Sequence, residues 1–459
     1  MENRLATRML RQTTLAAVFF ALFDLAASYS FYMFDLLCIA VAVLLPVYWF
    51  SVCRLNPGSM WNQVFTQRRT GGLLALLLLL YLLWDGVNIL YSPVPGVALQ
   101  KYPAMLAGIL LCAALLTTLE TPADNDSLIG AVGLAGAFTA AFSLLNYLFL
   151  HIYPAHYALR LTLRRDYNVF ATVVFIGMLG GLYLVFTSQL PNLTQCLLAF
   201  FLLWLEVSVL LLSASRRVIL LLGPAVLALG CVWLVVRRRR LLRTGAVYGP
   251  ALATFCAAGL AVWVTVWGMG SYMKTIYVTY GESGKGGLVA AETAPQERYQ
   301  TISDGSLFAK RGAIWSLALD EYRHYTPAQK LVGRGGSYDI HLYDVTADTR
   351  VAVSYGGRDV TGQLSAHNFL LADLLNGGAV KLLLSLAICL TLLVYLWSIL
   401  LNQRLNGIFY LLFAATVVLG SFISNRYGLL YDRFFWLLCA GVIVELGNIH
   451  HSHTRLEGR

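Results

Sequence analysis

The stretch GGLLALLLLLYLLWDGVNILY, Gly71 to Tyr91, is an apolar run of membrane-crossing length. A bilayer hydrocarbon core of about 30 Å is spanned by ~20 helical residues. Similar runs recur along the chain with short polar breaks between them, about twelve in all, at 13–30, 34–53, 71–91, 104–118, 128–150, 169–187, 196–213, 218–236, 247–269, 380–401, 407–423 and 429–446. The 459 residues are 58% hydrophobic and only 12% charged, with a mean hydropathy of +0.68. That composition excludes an ordinary soluble enzyme. It predicts an all-α polytopic membrane protein with about twelve transmembrane helices.

Charge sets the expected orientation. Arg4, Arg8 and Arg11 precede the first run, which is long and carries no small-residue cleavage site, so an uncleaved first span and a cytoplasmic N-terminus are expected. If spans alternate from there, the basic breaks at Arg54, Arg68 and Arg69, at Arg237–Arg240 with Arg243, at Arg404 and in the tail all fall inside. The expected organisation is nine spans over 1–269, an outer loop domain or cap over 270–378, three spans over 379–448 and a cytoplasmic tail over 449–459. The tail HHSHTRLEGR reads as a polar end rather than a metal site. The eight cysteines lie in or at the ends of apolar runs without CxxC spacing, which indicates neither a disulfide scaffold nor a thiolate metal centre. The net charge of +10 belongs mostly to cytoplasmic loops facing anionic lipid, so membrane lipids and no nucleic acid are the expected partners.

The informative cations are those that break the inside rule. ALRLTLRRDYN places Arg160, Arg164 and Arg165 in an outer loop between the fifth and sixth spans. LLLSASRRVILLL places Arg216 and Arg217 between two apolar runs joined by almost no loop. A guanidinium costs about 2.5–3.5 kcal/mol at the centre of a membrane helix and less near the interface, so it faces protein or a wet cavity and pairs with an anion. Its planar fork matches phosphate oxygens. Snorkelling to lipid headgroups is the plainer alternative, and both readings stand at this level.

Within 270–378, KRGAIWSLALDEYRHY reads as an amphipathic helix with Trp315, Leu319 and Tyr322 on one stripe and Arg311 a turn earlier. LVGRGGSYD reads as a tight turn carrying Arg334, without the βαβ context of a dinucleotide fingerprint. SAHNFLLADLLNGG then puts His367 and Asn368 at the start of the tenth span. Asn368 and Ser365 suit helix capping. Imidazole titrates near neutral pH and can accept a proton from a hydroxyl, which makes His367 a candidate base, against the commoner structural role of a lone histidine.

The order RRDYN, SRR, a long loop with an arginine-bearing helix and a GxGG turn, AHNFLL…NGG and NRYGLLYDRFFWLL resembles the O-antigen ligase and O-antigen polymerase superfamily. The resemblance covers the chain from about Arg165 to Leu438 and is weakest in the first five spans. It implies a GT-C-type membrane glycosyltransferase in the bacterial inner membrane. Its donor is an undecaprenyl diphosphate-linked glycan met on the periplasmic side, and it uses neither nucleotide sugar, metal nor other cofactor. By motif, Arg216 looks like the arginine credited with holding the donor diphosphate, with Arg217 doubling it and Arg165 as a further candidate. Arg311 is similar to the essential loop arginine of the ligases. His367 matches the histidine proposed to activate the acceptor hydroxyl. The single large outer loop favours a ligase acting on lipid A-core over a polymerase joining repeat units. A transporter or lipid flippase stays open because Glu206 lies in the middle of the seventh span, where its bland alternative is a structural partner for polar groups nearby.

Overall fold

Without water to satisfy them, backbone N–H and C=O groups in a bilayer must pair within the chain, and a helix pairs them all within one segment. The computed structural model follows this requirement. It describes residues 2–27, 32–53, 71–119, 121–153, 159–163, 167–240, 245–276, 309–346, 365–402, 405–424 and 428–457, among which every regular element is helical. In chain order these are α1 (Glu2–Ala27), α2 (Met33–Cys53), α3 (Gly72–Leu90), α4 (Pro95–Leu99), α5 (Tyr102–Thr118) and α6 (Pro122–Leu145). Then come α7 (Tyr167–Thr187), α8 (Asn192–Leu202), a π turn over Leu203–Val207, α9 (Ser208–Leu212), α10 (Arg216–Arg240) and α11 (Gly245–Ile276). Three shorter helices, α12 (Ala309–Arg323), α13 (Pro327–Val332) and α14 (Tyr338–Val345), precede α15 (Phe369–Leu401), α16 (Asn406–Ser424), a 3-10 turn at Leu429–Tyr431 and α17 (Arg433–Glu457).

Among the described residues, ten helical segments are long and apolar enough to cross a membrane, matching the first ten expected runs. The run expected at 407–423 is a shorter apolar helix, Asn406–Phe422. The last expected run, 429–446, is the 3-10 turn followed by the start of α17. The architecture is that of an all-α polytopic membrane protein. Broad apolar exposure agrees with lipid contact, as on α11, where Leu260, Trp263, Val264 and Trp267 are all exposed.

Two compact units make up the chain. One comprises residues 1–11, 41–122 and 304–459, the other 12–40 and 123–303. In the second unit α7 is the central helix, buried along 83% of its span and flanked by α8, α9 and α10. Small residues let α6 reach it: a Cβ on Gly136 would collide with the Cα of Gly177, and one on Gly133 would lie 2.8 Å from the Gly181 nitrogen. Phe186 of α7 stacks on Trp233 of α10 at 4.6 Å between ring centroids. In the first unit α15 packs on α3, α16 and α17, while α13 packs on α15.

The tenth span starts earlier than its hydropathy suggests. Its apolar run begins near 380, yet the helix begins at Phe369 and passes through a break at Gly378, where φ is 65°. The helix entry at His367 and Asn368 agrees with the capping read from the sequence, and Asp373 and Asn376 in this first part find hydrogen-bond partners. Gly177→Val is expected to lower the melting temperature of the detergent-solubilised protein, through overpacking of about 1–3 kcal/mol. Gly268→Ala, where an added Cβ meets nothing within 4 Å, should not lower it.

Candidate functional site

The arginine turn of the second unit is built by residues from both of its motifs. After α9 the chain turns at Ser213 and Ala214, the latter in the left-handed region at φ 56°, so that Arg216 and Arg217 become the first residues of α10. The Leu161 N–H donates to the Leu212 carbonyl at 3.0 Å, which docks the 159–163 segment against this turn. The Ser215 hydroxyl donates to Asn168 Oδ1 at 3.0 Å. Arg217 Nη2 donates to Thr172 Oγ1 at 2.9 Å, and that hydroxyl donates in turn to the Asn168 carbonyl at 2.8 Å. Arg160 is buried with its guanidinium 4.7 Å from the centroid of the Tyr167 ring. The two rule-breaking arginine groups are therefore neighbours. Arg165 lies outside the described residues.

The electrostatics of this turn point one way. A helix N-terminus carries roughly half a positive charge from its unpaired N–H groups, which favours anions and disfavours cations. Two arginines placed there add to the field instead of opposing it. The combination suits a phosphate-class anion. Asn168, Thr172 and Ser215 were not singled out from sequence, although the RRDYN and SRR motifs contain or adjoin all three.

In the first unit His367 occupies the left-handed region at φ 48°, and its N–H reaches the Ser365 hydroxyl oxygen at 3.4 Å. Asn368 takes the capping role: its Oδ1 accepts from the Leu370 and Leu371 N–H groups at 3.0 and 3.3 Å. Non-glycine residues in this region are strained by about 1–3 kcal/mol and cluster at functional sites. Trp315 Nε1 donates to the Ala366 carbonyl at 3.1 Å, and Ile314, Leu317, Tyr343 and Ala366 form one buried cluster. The first turn of α12, with half-buried Arg311, thus adjoins the segment bearing His367. The fully buried face of α12 is Ile314, Leu317 and Ala318; of the expected stripe, Trp315 and Tyr322 pack at its edges and Leu319 is 42% exposed.

Below His367 lies a polar cluster unseen from sequence. Lys381 pairs with Asp85, and with Asp373 at 3.5 Å. Tyr102 donates to Asp85 at 2.8 Å and Tyr431 donates to the same carboxylate. Asp373 accepts from Tyr81 at 2.7 Å and from Ser385. These side chains come from α3, α5, α15 and the 3-10 turn. Each looks isolated in its own apolar run, and the usable signal is that ionisable groups inside spans seek one another.

The break at Gly378 frees carbonyls one turn before it, and the GRGG turn takes them up. Arg334 N–H and the Tyr325 hydroxyl donate to the Leu375 carbonyl, each at 3.1 Å. Gly335 N–H donates to the Asn376 carbonyl at 2.9 Å, and Trp84 Nε1 donates to that of Gly377 at 3.1 Å. Gly333 and Gly335 hold φ of 77° and 100°, and a Cβ on either would strike backbone. Asn376 and Asp339 bind each other twice: the Asn376 amide donates to Asp339 Oδ1 at 2.9 Å, and the Asp339 N–H to Asn376 Oδ1 at 2.8 Å.

Arg334 lies 4.5 Å from the Tyr325 ring centroid and 5.1 Å from that of Tyr338, paired with Glu321. Burial, then the hydrogen bond to Glu321, pushes the Tyr338 hydroxyl above its ordinary value, and burial does the same for Tyr325. Among the described residues no three His, Cys, Asp or Glu side chains gather as metal donors. No protein-family model matches the chain, and no curated protein matches it.

Lys381→Met leaves two buried carboxylates uncompensated, and a loss of about 3–5 kcal/mol is expected. Adding Asp85→Asn and Asp373→Asn should restore part of it, read from melting temperatures in detergent. A raised tyrosine value means the folded state holds that proton more tightly than the unfolded chain. Its contribution is complete below the ordinary value of 10.0 and lost as pH climbs beyond it. Tyr338→Phe should accordingly flatten the alkaline loss of stability read from melting temperatures across pH.

Proposed function

We propose that the chain is an O-antigen ligase in the bacterial inner membrane. It moves an O-antigen polysaccharide from undecaprenyl diphosphate to a sugar hydroxyl of lipid A-core on the periplasmic side, as its resemblance to that superfamily implies. The observation that carries the reading is the Ser213–Arg217 turn, where two successive arginines open a helix and so add to the positive end of its dipole. A diphosphate leaves readily only when its growing charge is neutralised, and preorganised cations in a water-poor setting do that without reorganisation. Arg216 and Arg217 hold the diphosphate in this scheme. The resemblance assigns further counter-charge to Arg165 and Arg311.

The acceptor hydroxyl attacks the anomeric carbon from the face opposite the leaving group. The new carbon–oxygen bond forms as the bond to phosphate oxygen breaks, the configuration inverts, and the resemblance assigns the hydroxyl proton to His367. The bond pair leaves with the lipid diphosphate. Arginine counter-charge makes a metal or other cofactor unnecessary in this scheme. A polymerase acting on repeat units differs only in its acceptor.

One observation favours a second reading, a transporter or flippase. Glu206 is fully buried on the π turn, and neither carboxylate oxygen has a hydrogen-bond partner among the described residues. Buried acidic groups on such turns inside membranes often mark transport sites. In that case Glu206→Gln should stop lipid-linked glycan flux across liposomes and no transfer product should form.

With purified protein, diphosphate-linked glycan and lipid A-core, His367→Ala is expected to reduce transfer about 10²–10⁴-fold while leaving donor binding intact. Arg217→Ala should weaken donor binding. Normal transfer by the His367 variant removes that residue from the chemistry, and product formation without lipid A-core would identify a polymerase.

A further inference from the structure

The first unit carries a groove that the reaction scheme does not use. It is lined by Tyr91 and Pro93 just beyond α3, Gln329 and Val332 of α13, Arg334 of the GRGG turn and Tyr338 of α14. Two tyrosines and two apolar side chains alternate there with an amide and a guanidinium. Ring faces beside fixed planar hydrogen-bonding groups complement a pyranose, which presents apolar C–H faces and a rim of hydroxyls.

Charge decides the class of ligand. Arg334 already faces the Glu321 carboxylate, and Tyr338 donates to the same carboxylate at 2.7 Å. The guanidinium is therefore compensated, unlike a phosphate grip, and the groove suits a neutral hydroxylated molecule. The walls are also fixed in advance. The Tyr91 hydroxyl donates to the Val332 carbonyl at 2.6 Å, and the Ser92 hydroxyl to the Gly336 carbonyl at 2.5 Å. Gly336 N–H donates to the Asn88 carbonyl at 2.8 Å. A site whose walls are ordered before binding loses little entropy on binding.

Position relates the groove to the reaction. The GRGG turn sits on Leu375 and Asn376 of α15, roughly 10 Å along the helix that His367 precedes. The geometry points to a subsite for a neutral sugar of a glycan chain, more than one unit away from the sugar at His367. This rests on the glycan-transfer reading. Donor polysaccharide and core oligosaccharide share the pyranose chemistry, and either could fill the groove.

The test uses the full chain in a detergent without a sugar headgroup. Saturation-transfer NMR is run separately with neutral O-antigen oligosaccharide, core oligosaccharide and inorganic pyrophosphate. One of the two saccharides is expected to bind, and Val332→Trp, which fills the groove from an exposed position, should weaken it at least tenfold with an unchanged melting temperature. Pro93→Trp fills it from the opposite wall and serves if the first variant does not fold. Pyrophosphate binding should be the same in wild type and variants. The inference is overturned if neither saccharide binds, if both groove-filling variants bind as wild type does, or if pyrophosphate displaces the saccharide. Absence of glycan transfer with saccharide binding intact would instead count against the ligase reading and leave the neutral-sugar groove standing.

Discussion

Lys381 lies within an apolar helix with its ammonium held between Asp85 and Asp373, and the arrangement of the first unit follows from that placement. An unpaired ion in such surroundings costs several kcal/mol, so α3 and α15 cannot separate without exposing a charge to an apolar environment. Tyr102 and Tyr431 bring α5 and the 3-10 turn to the same carboxylate. The cluster fixes the part of α15 that immediately follows the break at Gly378. That break has its own consequence, because carbonyls released from the helical ladder at Leu375 and Asn376 become the docking points of the GRGG turn. A charge pair within the spans thereby orders a polar turn outside them.

The second unit answers to a different constraint. Its central helix α7 is reached by α6 only because glycines meet where side chains would clash. The polar end of α7 then serves the arginine turn: Asn168 and Thr172 orient Ser215 and Arg217. Placing two guanidiniums at a helix N-terminus runs against the usual pairing of charge and dipole. That electropositive turn is the feature on which the proposed reading draws.

Among the described residues, left-handed non-glycine backbone occurs at Tyr32, His151, Ala214, Ser337 and His367, and the last three lie in segments the sequence motifs singled out. Ala214 lies in the SASRR turn, His367 in the AHNFLL segment, and Ser337 directly after GRGG. Each costs strain that a plain connection would avoid. Ser337 has φ of 61° and leads into α14, whose Tyr338 walls the groove.

Hydropathy alone determined the helical class, the positions of ten crossing segments and the places where arginine and histidine interrupt them. It could do so because burial in lipid acts on each segment independently of its neighbours. Capping by Asn368 was legible for the same reason, being a contact between residues two and three apart. Tertiary structure decided what depended on partners far away in sequence. The partners of the polar first part of α15 were one such feature, since Tyr81, Ser385 and Asp339 satisfy Asp373 and Asn376 from elsewhere in the chain or from beyond the break. The buried face of α12 was another, packed against Tyr343 and Ala366. The pairing of Lys381 with Asp85 spans almost 300 residues, and no local pattern encodes it, because an ion pair is specified by coincidence in space.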